Sequence, residues 1–99
     1  MKTLGLIGGT SYHATLEYYR LINEKFAKAN GPLESPRLIL YSINIAVMRT
    51  QNQELITGVY RDVSKRLERA GAEAIVICAN TPHMVCDVVK EEIGIPFLH

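Results

Sequence analysis

Ninety-nine residues suffice for one small domain with a true core, burying somewhat over ~60% of the unfolded surface. Hydrophobic residues make up 47% and charged residues 21%, an ordinary globular balance without low-complexity segments or internal repeats. A net charge of +1 gives no electrostatic case for nucleic acid or an acidic membrane surface, and no apolar run approaches the ~20 residues of a membrane span.

Leu4 to Ile7 is a short apolar run that reads as a first strand, ending in Gly8-Gly9. Met-Lys-Thr ahead of it does not build a signal peptide, and two cysteines do not make a disulfide framework, so a cytoplasmic protein with free thiols is expected. Ser11 to His13 reads as a loop. Ala14 to Ala29 then carries Leu16, Tyr19, Ile22 and Phe26 at helical spacing, the expected buried face. Asn30-Gly31-Pro32 stops this helix, with Gly31 suited to a left-handed turn. Leu38 to Ile45 is a second apolar strand, and Ala46 to Gln53 is the least regular stretch. A helix from about Glu54 to Ala70 places Leu55, Val59, Val63 and Leu67 inward, with Ile56 and Tyr60 beside them, and Gly71 ends it.

Ala74 to Cys78 is the third strand. Thr81 suits an N-cap and Pro82 a first helical position, so the next helix is expected over Pro82 to Ile93. Its inward residues are Val85, Val88 or Val89, and Ile93, with a stop at Gly94. Ile95 to Leu98 begins a fourth strand. Strands alternating with helices predict an α/β three-layer sandwich: a mostly parallel four-stranded sheet with helices on both faces. The chain stops at a strand, where this architecture normally continues, and so reads as a half-protein or a truncated form.

Cys78, Asn80 and Thr81 fall at the carboxyl end of a strand beside a helix start, where open α/β sheets bind ligands. A buried core cysteine and a reactive thiol are both open readings of Cys78. The helix N-terminus would favour its thiolate, placing its pKa below that of Cys86 and making it the first to be alkylated. Cys86 reads as packing. Gly8-Gly9-Thr10-Ser11 is neither a GxGxxG nor a P-loop pattern; it reads as a tight strand-to-helix turn whose Ser or Thr caps a helix, with the same donors able to hold an anion. Arg49 and Thr50 lie past strand two, where an arginine can grip a carboxylate or simply be solvated. His83 reads as a pocket-rim residue that could orient a substrate or tune Cys78; with Cys78 and Cys86 it meets no metal-ligand spacing, so no metal is expected.

These motifs resemble the aspartate/glutamate racemase superfamily. The resemblance rests on Gly-Leu-Ile-Gly-Gly-Thr-Ser near the start, Glu-Tyr-Tyr-Arg-Leu-Ile-Asn at 17–23, Arg-Ala-Gly-Ala-Glu-Ala-Ile-Val-Ile-Cys-Ala-Asn-Thr-Pro-His at 69–83, and the closing Ile-Pro-Phe-Leu-His. It runs over the whole chain and is nearest the branch of aspartate racemases and broad-specificity amino-acid racemases. It implies a cofactor-independent enzyme of two similar α/β domains, each supplying one catalytic cysteine to a site between them. Residues 1–99 would be the N-terminal domain, with the second domain absent. By the same resemblance Cys78 is one acid/base thiol, Asn80 and Thr81 surround the substrate carboxylate and amino group, Thr10 and Ser11 line the pocket, and Arg49 contacts an amino-acid substrate such as aspartate or glutamate. The family often has methionine where Thr10 and Pro82 stand here.

The implied partners are that substrate and either the second domain or a second copy, in a homo-oligomer. Two other functions fit the residues: a non-catalytic ligand-binding or assembly domain of the same fold, and a thiol hydrolase using Cys78 with His83.

Overall fold

The computed structural model describes residues 2–79 and 83–98, and of His83 and Met84 the backbone alone. The elements run in order β1 (Thr3–Gly8), α1 (Tyr12–Asn30), β2 (Arg37–Ser42), α2 (Ala46–Arg49), α3 (Gln53–Arg69), β3 (Ala74–Ile77), α4 (His83–Val89) and β4 (Phe97–Leu98). A 3-10 turn, Lys90–Glu92, extends α4. The four strands form one parallel sheet in the order β2-β1-β3-β4. The expected α/β sandwich is therefore present, with helices on both faces of a fully parallel sheet.

Two glycines in β1 show which helix covers which face. A Cβ on Gly8 would meet Thr15 of α1, whereas a Cβ on Gly5 would meet Leu67 of α3 and Ala72. Positions 5 and 8 point to opposite faces of a strand, so α1 covers one face and α3 the other. The α3 face holds the larger core. Ile7 and Ile75 pack there with Ile56, Tyr60, Val63 and Leu67 of α3 and Val85 and Val89 of α4.

The two long helices, α1 and α3, begin and end for visible local reasons. Ser11 caps α1, its Oγ accepting from the Ala14 amide at 3.4 Å, and Asn52 caps α3 by accepting from Leu55 at 3.1 Å. Gly31 and Gly71, at φ of +121° and +105°, end them. The segment after α4 is tied back to α3: the Gly94 amide donates to Glu68 at 2.8 Å, and Arg61 pairs with Glu92 at 2.5 Å.

Several expectations are corrected. In α1, Leu16 and Tyr19 are 61% and 52% exposed, and Thr15 is the buried residue. The helix meets the sheet at Gly8, so its inward stripe is rotated from the most apolar one. In α3 the inward face is Ile56, Tyr60, Val63, Ser64 and Leu67, while Leu55 is exposed. In α4, Val85 and Val89 are buried and Val88 faces outward. The second strand stops at Ser42, and the irregular stretch after it contains the short α2. The helix expected to run to Ile93 tightens to 3-10 geometry at Lys90. The expected cap Thr81 and Pro82 lie outside the described residues. Among those described, no helix is long and apolar enough to cross a membrane.

Candidate active site

The carboxyl ends of β1, β2 and β3 open onto one edge of the sheet. There β1 leaves through Gly8-Gly9-Thr10-Ser11. Gly9 has φ +96°, a conformation that suits glycine alone, and a Cβ on it would overlap the Ile43 carbonyl oxygen and come within 2.6 Å of the Ile43 amide nitrogen. The strand-end of β2 thus lies directly against this turn, held by the Ile43 amide donating to the Gly8 carbonyl at 2.8 Å.

Thr15 fixes the other side of the turn. Its Oγ1 accepts from the Gly9 amide at 3.0 Å and donates to the Ser11 carbonyl at 3.1 Å. Sequence reasoning passed over Thr15, since a threonine in a first helical turn reads as a weak helix former. The signal was its spacing: four residues after Ser11, a hydroxyl can reach back to a carbonyl of the preceding turn.

Thr10 is different. Its hydroxyl is buried and has no hydrogen-bond partner among the described residues. Such a group costs about 1–3 kcal/mol if left unsatisfied, so it is a strong candidate to meet a ligand. Ser11 is half-buried and spends its side chain on capping, in line with the expected turn.

Cys78 sits one residue past β3, its amide donating to the Ile7 carbonyl at 2.9 Å. That bond places it beside the Gly8–Ser11 turn. The thiol is fully buried, and burial pushes its pKa from 9.0 to about 11. Burial thus acts against the low pKa expected of Cys78 from a helix N-terminus, and Asn80, Thr81 and Pro82, where that start is expected, lie outside the described residues. Cys86 is also pushed up, by burial and by Asp87, but it is only half-buried. An alkylating reagent at neutral pH is therefore expected to modify Cys86 first, read by peptide mass mapping over time.

The raised Cys78 value also sets a pH dependence. Up to pH ~9 the thiol is protonated in both folded and unfolded chains. From there to about pH 11 only the unfolded chain releases its proton, so stability falls as pH rises through that window. The loss is on the order of 2 kcal/mol. Denaturant unfolding at pH 8 and 11 should show a stability loss in the native chain that exceeds the loss in Cys78→Ser by about this amount.

The remaining candidates divide. Arg49 ends α2 as an exposed side chain, in no ion pair among the described residues, on the β2 side of the turn. Asn80, Thr81 and the His83 side chain lie outside the described residues. Among those described, no cluster of three metal-ligating side chains occurs. This edge of the sheet thus carries a buried thiol, a buried hydroxyl without a hydrogen-bond partner among the described residues, and a tight glycine turn.

Residues 7–99 match the family model described as Asp/Glu/Hydantoin racemase. The chain is similar to the solved structure of a candidate Asp/Glu racemase from Yersinia pestis, at 38% identity and a TM-score of 0.90. That match covers 100% of this chain and 45% of the other. An aspartate racemase homologue from Pyrococcus horikoshii matches at 38% identity and a TM-score of 0.85, over 99% of this chain and 44% of the other. The chain therefore spans less than half the length of either solved relative.

Proposed function

The chain belongs to the Asp/Glu/hydantoin racemase family, and from that premise we propose that it supplies one half of a cofactor-independent amino-acid racemase. Its substrate class is aspartate, glutamate or a related amino acid. Cys78 provides one of two thiols. The observation that supports this reading is a buried Cys78 thiol and an unpartnered, buried Thr10 hydroxyl at the same carboxyl-end edge of the sheet.

Racemisation removes the Cα proton from one face and returns a proton to the other. Two thiols on opposite faces can do so, one as thiolate base and one as thiol acid, with roles exchanged for the reverse direction. The raised pKa of Cys78 suits the acid: at neutral pH it rests as a thiol and can hand its proton to the carbanion. Acting as base requires its pKa to fall, which donors brought close by a bound substrate and the closing of the cleft can provide. The negative charge that grows on the carboxylate in the transition state needs donors placed beforehand. Thr10 and Ser11 are assigned that role here, with Asn80 and Thr81 on the substrate carboxylate and amino group, Arg49 as a further substrate contact and His83 at the rim. The second thiol comes from a second domain or, failing that, a second copy of the chain in a homo-oligomer.

The test is proton exchange at Cα in heavy water, followed by NMR on L- and D-aspartate and glutamate. A chain extended by a second domain is expected to exchange and invert these substrates, and the 99 residues alone are expected to do neither appreciably. Inversion by the 99 residues at concentrations where they are monomeric would refute the two-thiol division of labour.

A further inference from the structure

Thr15 is the buried residue of α1, at the point where the helix meets the sheet. An apolar side chain is the ordinary filling for such a position, and a hydroxyl is tolerated there when its hydrogen bonds are made. They are made to one short stretch of backbone. Oγ1 accepts from the Gly9 amide and donates to the Ser11 carbonyl, and the Thr15 amide donates to that same carbonyl at 3.0 Å. Gly9 and Ser11 are the residues on either side of Thr10.

Thr10 has the opposite character. Its hydroxyl oxygen is also buried, yet it bonds to nothing among the described residues. A hydroxyl hydrogen rotates to suit its acceptor, so the backbone decides where the oxygen itself lies. That backbone is pinned at three residues. The Ile43 amide holds Gly8, and Thr15 holds Gly9 and Ser11. One oxygen thus clamps both neighbours of the residue whose hydroxyl is unspent.

We infer that Thr15 is a positioning residue, whose hydroxyl holds the turn so that the Thr10 hydroxyl is aimed before charge grows on the substrate carboxylate. The inference rests on the proposed role of Thr10 as a donor to that carboxylate. Thr15 itself packs against Gly8: a Cβ there would come within 2.7 Å of its methyl carbon and 2.8 Å of its Oγ1. The methyl fills and the hydroxyl clamps, so substitution separates the two. Valine keeps the shape and removes the clamp; serine keeps the clamp and removes the methyl. A donor fixed in advance stabilises developing charge without reorganising, so a loosened Thr10 costs turnover more than substrate binding.

In the 99-residue chain, three-bond NMR couplings of Thr10 report its χ1 angle. A single rotamer is expected in the native chain and in Thr15→Ser, and averaging, with faster Gly9 amide exchange, in Thr15→Val. This readout needs no activity, so it judges the positioning by itself; an extended chain that fails to racemise would instead refute the proposed function. In the chain extended by a second domain, Thr15→Val is expected to lower kcat by about ten- to a hundredfold, with KM within about twofold of native. Thr15→Ser should keep kcat within about threefold of native, since both hydrogen bonds persist. Thr10→Val should lose a factor comparable to Thr15→Val, and combining the two should cost little more, because the clamp then has nothing to aim. Circular dichroism verifies folding, and Thr15→Ala repeats each measurement where Thr15→Val does not fold. A fixed Thr10 rotamer without the Thr15 hydroxyl, equal losses in Thr15→Ser and Thr15→Val, or losses that multiply in the double variant would overturn the proposal.

Discussion

Under the proposed function, Cys78→Ser in a form of the chain extended by a second domain is expected to reduce racemisation by about a thousandfold or more while leaving the fold in place. Serine nearly matches cysteine in size, but its hydroxyl is a far weaker acid, so it neither delivers nor accepts the Cα proton at useful rates. Burying a hydroxyl where Cys78 is fully enclosed costs about 1–2 kcal/mol, which a folded domain tolerates. Cys86→Ser provides the contrast: half-buried on α4, it should lower stability modestly and leave turnover near the native rate. Measured kcat for both enzymes, with melting temperatures, separates the roles. A Cys78→Ser enzyme with native turnover would leave Cys78 as a core residue and remove the chemical basis of the proposed function.

The second large effect concerns backbone. Gly9→Ala is expected to cost at least ~3 kcal/mol, a large part of the ~5–15 kcal/mol that holds a domain of this kind together. Two causes act together. At φ +96° an L residue is strained, and the new Cβ would collide with Ile43 backbone that has no room to move, since the Ile43 amide is bonded to Gly8. Gly58→Ala is the matched control. It lies mid-helix in α3 with nothing within 4 Å of the added carbon, and should stabilise by about 0.5–1 kcal/mol. Urea unfolding of both variants measures the pair. Equal effects would mean that the Gly8–Ser11 turn is not the rigid element described.

Much of this architecture is readable from the residues. Leu4–Ile7 and Ile75–Ile77 are unbroken apolar runs because both faces of a parallel strand are covered, and β1 and β3 are the central strands. Gly31 and Gly71 mark helix ends because only a left-handed turn closes them there. What periodicity could not supply is which neighbour covers a stripe. Leu16, Tyr19, Ile22 and Phe26 make a good helical stripe, yet α1 turns Thr15 to the sheet because Gly8 leaves a gap for it. The Cys78 thiol follows the same logic: a helix start beside it suggests a low pKa, burial raises it to about 11, and burial is a tertiary property. The Gly-Gly-Thr-Ser stretch is legible as a tight strand-to-helix turn, whereas the bond from the Gly9 amide to Thr15 that shapes it depends on a side chain six residues away.

The strand order carries a consequence for how the chain comes together in time. β1 lies inside the sheet, paired with β2 on one side and β3 on the other, and the Thr3 amide is tied to Glu73, 70 residues along. At roughly 5–20 residues per second on a ribosome, β1 waits several seconds between emerging and meeting its second neighbour. During that interval Leu6 and Ile7, among the most deeply enclosed side chains of the finished molecule, have half their surroundings missing. The earliest strand to be made is thus among the last to be completed. Closure of the long β1–β3 loop, with its large entropy cost, is the natural slow step of folding.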